Sequence, residues 1–167
     1  MYHFLPEQWK PDNRTGKGYM ILHTESLDHK ISQAKCQLLG GKLPEPRDEK
    51  ENQFVNELGT NIFLLGINKI KGDEWRFDSD GSRVIYNNWE PGHPDSEKTG
   101  KDCAIMERSH LFPQGHRNLP ATWIDVSCKP GGQSEYSDRT KHLVCESAGG
   151  MYICYYLIFL VVTEQRS

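Results

Sequence analysis

Five cysteines, at positions 36, 103, 128, 145 and 154, carry the most reactive chemistry in this chain. Cysteines that bind zinc or cycle as redox dithiols commonly stand in Cys-x-x-Cys pairs, and no such pair occurs here. Wide spacing suits a disulfide framework, so cross-linking in an oxidising, secretory setting is the expected use. His110 and His116 lack a cysteine or carboxylate partner at ligand spacing, so no zinc site is expected from them. The chain has no Gly-x-Ser-x-Gly, no His-Glu-x-x-His and no Gly-rich phosphate loop. Without an activated nucleophile or a phosphate cradle, it is expected to bind and not to catalyse.

Charge narrows the partners. Lys and Arg number 20 against 23 Asp and Glu, a formal charge of -3. That leaves no basic stripe for a phosphate backbone, and no nucleic-acid partner is expected. Hydrophobic residues at 36% and aromatics at 10% supply a core, while 15 Gly and 9 Pro call for many turns and loops. A chain of 167 residues suits one domain. Asn13-Arg14-Thr15 is an N-glycosylation sequon, which fits a secreted or cell-surface protein. Met1 to Lys10 contains no apolar run of the signal-peptide kind, so that location needs a leader outside this sequence or unconventional export.

The elements that must position any site follow from periodicity. Residues 1–16 read as a polar lead-in, 17–147 as the domain and 148–167 as an apolar tail. Gly18 to His23 reads as a first strand. Leu27, Ile31, Ala34 and Leu38 recur at helical spacing before Gly40-Gly41, which predicts an amphipathic helix bearing Cys36. A second helix is expected from a cap at Asp48 through Phe54, Val55 and Leu58 to Gly59. After it the pattern turns β-like, at Ile62 to Ile67, Glu74 to Asp78, Arg83 to Tyr86, Cys103 to Glu107, Thr122 to Val126 and His142 to Glu146. Between these runs, Asn87 to Lys101 is nearly all turn formers, and a long ordered loop of that kind is usually functional. Met151 to Val162 is apolar throughout but shorter than the roughly 20 residues of a membrane-spanning helix. It reads as an extra strand, a membrane-associated tail or an aberrant end, and Cys154 within it as a buried thiol or a dimer link.

Taken together, these segments resemble the C-type lectin-like domain family over roughly Gly18 to Glu146. Ala34-Lys-Cys36-Gln-Leu-Leu-Gly-Gly41-Lys-Leu43 is similar to the family's first-helix cysteine and Gly-Gly-x-Leu, and Glu49 to Val55 to its second helix. Leu65-Gly66-Ile67 stands near its Trp-Ile-Gly-Leu strand, without the Trp. Glu74-Trp75-Arg76-Phe77, Asp80-Gly81 and Asn88-Trp89 resemble the hairpin and the Trp that lead into its long loop. The resemblance implies an α+β fold of two helices with a looped antiparallel sheet. It also implies the disulfides Cys36–Cys145 and Cys103–Cys128, leaving Cys154 over. Trp75, Trp89 and Trp123 fall on structural family positions, so core packing is expected of them.

Sugar-binding members hold calcium with a Glu-Pro-Asn or Gln-Pro-Asp loop, a Glu before an Asp-Cys, and a Trp-Asn-Asp strand. Here His93-Pro94-Asp95 occupies the loop, Lys101 replaces the Glu and Ile124 replaces the Asn of Trp123-Ile124-Asp125. Only Asp95 and Asp125 remain as oxygen ligands, whereas calcium takes six to eight oxygens. No cofactor is therefore expected, calcium included, and Pro94 is expected in the cis form. A softer site of His93 with Asp95 and Asp125 would suit zinc or copper, but a surface histidine is the plainer reading. The stretch between Cys103 and Trp123 is longer than is usual in the family, and Phe112 and Arg117 within it are candidates for specificity. The expected ligand surface comprises His93, Asp95, Lys101, Phe112, Arg117 and Asp125. Its expected partner is a glycan or an extracellular protein. A calcium-dependent lectin and a membrane-tethered or oligomeric interaction protein are the alternatives.

Overall fold

A computed structural model describes residues 9–58, 62–95, 99–107, 121–129 and 141–147. The expectations placed on Phe112, Arg117, His110, His116, the 151–162 tail and Cys154 lie outside those residues. Among the described residues, no helix is long and apolar enough to cross a membrane.

The elements are β1 (Lys10–Asp12), β2 (Lys17–Thr24), α1 (His29–Leu38), β3 (Gly41–Lys42), α2 (Glu49–Glu57), β4 (Ile62–Asn68), β5 (Arg76–Phe77), β6 (Cys103–Glu107), β7 (Thr122–Val126) and β8 (Lys141–Ser147). One sheet runs β1-β2-β8-β4-β6-β7, with β3 added to β8 and β5 to β4. Every pairing is antiparallel except β4 with β8, which meet in parallel at Ile62 and Lys141. The sheet also starts earlier than Gly18. Lys10 pairs with Tyr19 and Asp12 with Lys17, so part of the segment read as a lead-in is an edge strand.

Strand alternation places one core on each face of this sheet. Phe63, Leu65 and Ile67 of β4 join Ala104, Met106, Trp123 and Val144 on the face that takes Val55 of α2. Ile62 and Leu64 join Cys103, Ile105, Ile124, Leu143 and Cys145 on the face that takes Cys36 of α1. The two disulfides that the resemblance implied lie in this second core, Cys36–Cys145 and Cys103–Cys128.

Both helices begin where a carboxylate caps the first turn. Asp28 accepts from the Ile31 amide at 2.9 Å, and Asp48 from the Glu51 amide at 2.8 Å. Glu51 returns the contact, accepting from the Arg47 amide at 2.8 Å. The buried face of α1 differs from the expected one. Ile31 and Leu38 are 52% and 86% exposed, and His29, Ser32 and Cys36 point inward instead. Two tethers set this rotation: the Cys36 disulfide to β8, and His29 Nε2 at 2.8 Å from Asp78 Oδ2. Together they outweigh burial of the apolar stripe.

A buried ionic cluster ties β2, β3, β8 and α2 together. Lys17 Nζ lies 2.7 Å from Glu51 and 3.2 Å from Glu146, whose side chain is fully buried. Glu146 Oε2 also accepts from the Glu45 amide at 3.1 Å and from the Tyr19 hydroxyl at 3.2 Å. Burial alone would lower the Lys17 ammonium, but the carboxylates of Glu146 and Glu51 outweigh it and hold the pKa above its ordinary value.

Across β2 and β8, His23 faces His142 directly. His142 Nδ1 is buried without a hydrogen-bond partner. Burial, with the His23 imidazole adding to it, lowers the His142 pKa below that of a free histidine. The unfolded chain therefore binds the proton more tightly than the native one, so stability present above about pH 6.5 is lost as the pH falls through the folded value. Tm measured from about pH 7.5 to 5.5 is expected to fall in the parent and to fall less in His142→Gln. Equal slopes for the two proteins would rule this histidine out as the cause.

Candidate functional site

The site is assembled on β7. Trp123 is fully buried and donates its indole N–H to Asn52 Oδ1 at 2.9 Å, which locks β7 to α2. Trp89 and Tyr86 meet the Trp123 ring edge-on, at 5.6 and 5.8 Å between centroids. The start of the long loop is then laid along β7 by main-chain bonds. The Trp123 amide donates to Asn88 O at 2.8 Å, and the Glu90 amide to Trp123 O at 2.9 Å. The Asn88 amide group donates to Ala121 O at 2.7 Å.

From this anchor a tight turn, Glu90-Pro91-Gly92-His93, is closed by the His93 amide to Glu90 O at 2.8 Å. Gly92 has φ +89°, a backbone state that a side chain at this corner would strain. The following His93–Pro94 peptide bond is cis. The turn brings His93 Nδ1 to 2.5 Å from Asp125 Oδ1, across 32 positions of sequence. The Asp95 amide donates to that same oxygen at 3.1 Å. Asp125 is 1% exposed and His93 24% exposed, so the carboxylate is covered and the imidazole forms its lid.

Of the residues expected to make the site, His93, Asp95 and Asp125 thus converge, with Asp95 contributing its backbone amide to the group. Lys101 is half-buried just ahead of β6. Ile124 is 7% exposed and packs with Cys103 and Ile105 on the opposite face of β7, so its side chain points away from this group. Asn13 is exposed in the turn between β1 and β2.

Calcium would need several more oxygens than this arrangement provides. The Asp125 oxygen is already taken by an imidazole and an amide. Among the described residues, no group of three or more His, Cys, Asp or Glu could hold a metal ion. Among the described residues, the donors gathered at Asp125 do not fit calcium.

A second feature joins the start of the loop, where ligand contacts were expected, to the Asp73–Trp75 and Arg83 segments, which carried no such expectation. Asp73, Glu74, Trp75, Arg83, Asn87 and Trp89 line a cleft of about 240 Å³. The two indoles pack 4.7 Å apart between centroids, tilted by 53°. Both tryptophans stand at positions that explain themselves by packing, so nothing in their spacing marks them as the wall of a cleft.

The family model for the lectin C-type domain matches residues 25–147. The versican core protein of Bos taurus is 33% identical over 99 residues, 58% of this chain, and this chain spans only 3% of that protein's length. The C-type lectin domain of murine dendritic cell inhibitory receptor 2, solved in complex with an N-glycan, superposes with a TM-score of 0.64 at 20% identity, covering 85% of this chain and 97% of that one. A calcium-independent type II antifreeze protein superposes with a TM-score of 0.62 at 17% identity, covering 88% and 98%. With the family model's match over residues 25–147 spanning both disulfides, both helices and the strand that carries Asp125, the chain belongs to the C-type lectin domain family.

Proposed function

We propose that this domain is an extracellular binding module that engages a carbohydrate or protein ligand without calcium and without catalysis. The observation that carries the reading is the His93–Asp125 contact. A hydrogen-bonded imidazole stands where the resemblance puts the first metal ligand, and it occupies the carboxylate that would otherwise face the ion. The His93 turn is thereby tied to β7 by protein groups, with Trp89 packed against Trp123. Its fold neighbour among the antifreeze proteins is itself calcium-independent, so this architecture does not depend on the ion. Two disulfides fit an oxidising compartment, which supports the secreted or cell-surface location.

Calorimetric titration with calcium is expected to show no saturable heat up to about 1 mM, the weak end for extracellular calcium modules. A glycan array run with and without chelator is expected to give the same pattern in both arms. Saturable calcium binding in that range, or glycan signals that vanish in chelator, would overturn the reading.

A further inference from the structure

We propose that the cleft bordered by the packed indoles of Trp75 and Trp89 is a metal-free saccharide site, separate from the His93–Asp125 pair. The proposal rests on the calcium-free reading above and commits it to the carbohydrate class. A cleft of about 240 Å³ falls below the ~300–1,000 Å³ of drug-sized pockets, so it admits a small unit such as one pyranose ring. Its wall is preorganised. Trp75 and Trp89 are half-buried and pack against the α2-side core, which fixes the indoles before any ligand arrives.

Polar groups stand around that wall in a mixed set. Asp73 and Asn87 are exposed and have no hydrogen bond or ion pair among the described residues. Arg83, 70% exposed, adds a guanidinium whose Nε is 3.7 Å from Glu74. A carboxylate accepts, a guanidinium donates and an amide does both, which matches hydroxyls that themselves donate and accept. The C–H face of a pyranose is the apolar surface that would cover an indole.

Charge argues against the other occupants. Glu74 is already neutralised by Arg76 at 2.6 Å, and Lys69 stands over Trp75 at 5.6 Å from the ring centroid. A cationic ligand would find the Glu74 carboxylate already paired and would meet the Lys69 ammonium beside Trp75. An anion would meet the Asp73 carboxylate. A neutral polyhydroxylated ligand meets neither penalty.

The test is titration of the whole chain with glucose, galactose, mannose and N-acetylglucosamine at millimolar concentration, in chelator and again in calcium. Tryptophan fluorescence and the indole N–H resonances are read out. At least one sugar is expected to shift the Trp75 and Trp89 signals saturably in chelator. Asp73→Ala and Asn87→Ala, both at exposed positions, are each expected to weaken that binding by roughly 5–10-fold with Tm unchanged. No saturable indole shift with any of the four sugars would overturn the site. So would parental affinity in both variants, or saturation by tetramethylammonium in place of the sugars. Binding that appears only with calcium but is still lost in the variants would instead sink the calcium-free reading and leave the cleft standing.

Discussion

His93→Glu is expected to make the stability of this domain depend on calcium. In the parent, the imidazole sits 2.5 Å from an Asp125 carboxylate that is almost fully covered. Glu in its place removes the donor and sets a second carboxylate against the first. Removing the hydrogen-bonding partner of a buried carboxylate typically costs about 1.5–3 kcal/mol. The Asp95 amide stays, so Asp125 keeps one bond and the lower half of that range is the better expectation. A divalent cation can then do what the imidazole did. With a dissociation constant of about 1 mM, calcium at ~10 mM would return roughly 1.4 kcal/mol by mass action. The measurement is urea unfolding of parent and variant in chelator and in calcium. If the variant were as stable as the parent in chelator, the His93–Asp125 contact would not be what holds the loop. A large loss with no calcium recovery would show that two added oxygens do not rebuild a site from which position 124 points away.

Much of the scaffold could be read from local pattern, because the elements that were legible are punctuated by turn formers. The runs Cys103–Glu107 and Thr122–Val126 coincide with β6 and β7. Asp48 caps α2 as its residue type suggests. The errors arose where a distant partner outweighed the local signal. The Ile31, Ala34 and Leu38 stripe has the spacing of a buried face, yet a disulfide and a side-chain hydrogen bond turn His29, Ser32 and Cys36 inward. Lys10–Asp12 is polar and contains Pro11, which a central strand would not tolerate, but an edge strand does. The buried carboxylates of Glu45 and Glu146, the latter paired with Lys17, were equally hidden, since charged residues are ordinarily read as surface.

The candidate site was legible only in part, for a related reason. Family spacing brought His93, Asp95 and Asp125 to attention as positions, but whether they repel, coordinate or bond each other depends on a loop folding back across 32 residues. The structure answers with a hydrogen bond. Ile124 illustrates the opposite case. Its place in the motif suggested a lost ligand, whereas alternation along β7 sends its side chain into the other core, where an isoleucine is well suited. The substitution therefore reads as a gain of packing as much as a loss of chemistry.

Replacing Cys36 and Cys145 together by Ala is expected to be the most damaging change to this fold. The link joins residues 109 positions apart, so it removes a very large loop entropy from the unfolded chain, about 4–5 kcal/mol in the chain-entropy model. Both cysteines are fully buried in the α1-side core, so their loss also leaves a packing defect. Cys103 and Cys128 close only 25 residues, for roughly 3–4 kcal/mol, and Cys128 is half-buried. Against a total of about 5–15 kcal/mol for an ordinary domain, either loss is severe and the first leaves little margin. Urea titration checks the order and also the mechanism. If the effect acts on the unfolded state, the Cys36/Cys145 variant should show a larger m-value as well as a lower midpoint, because its denatured chain expands further. Should the shorter link prove the costlier one to remove, loop closure would not be what stabilises this fold, and α1 would have to be held to β8 by packing alone.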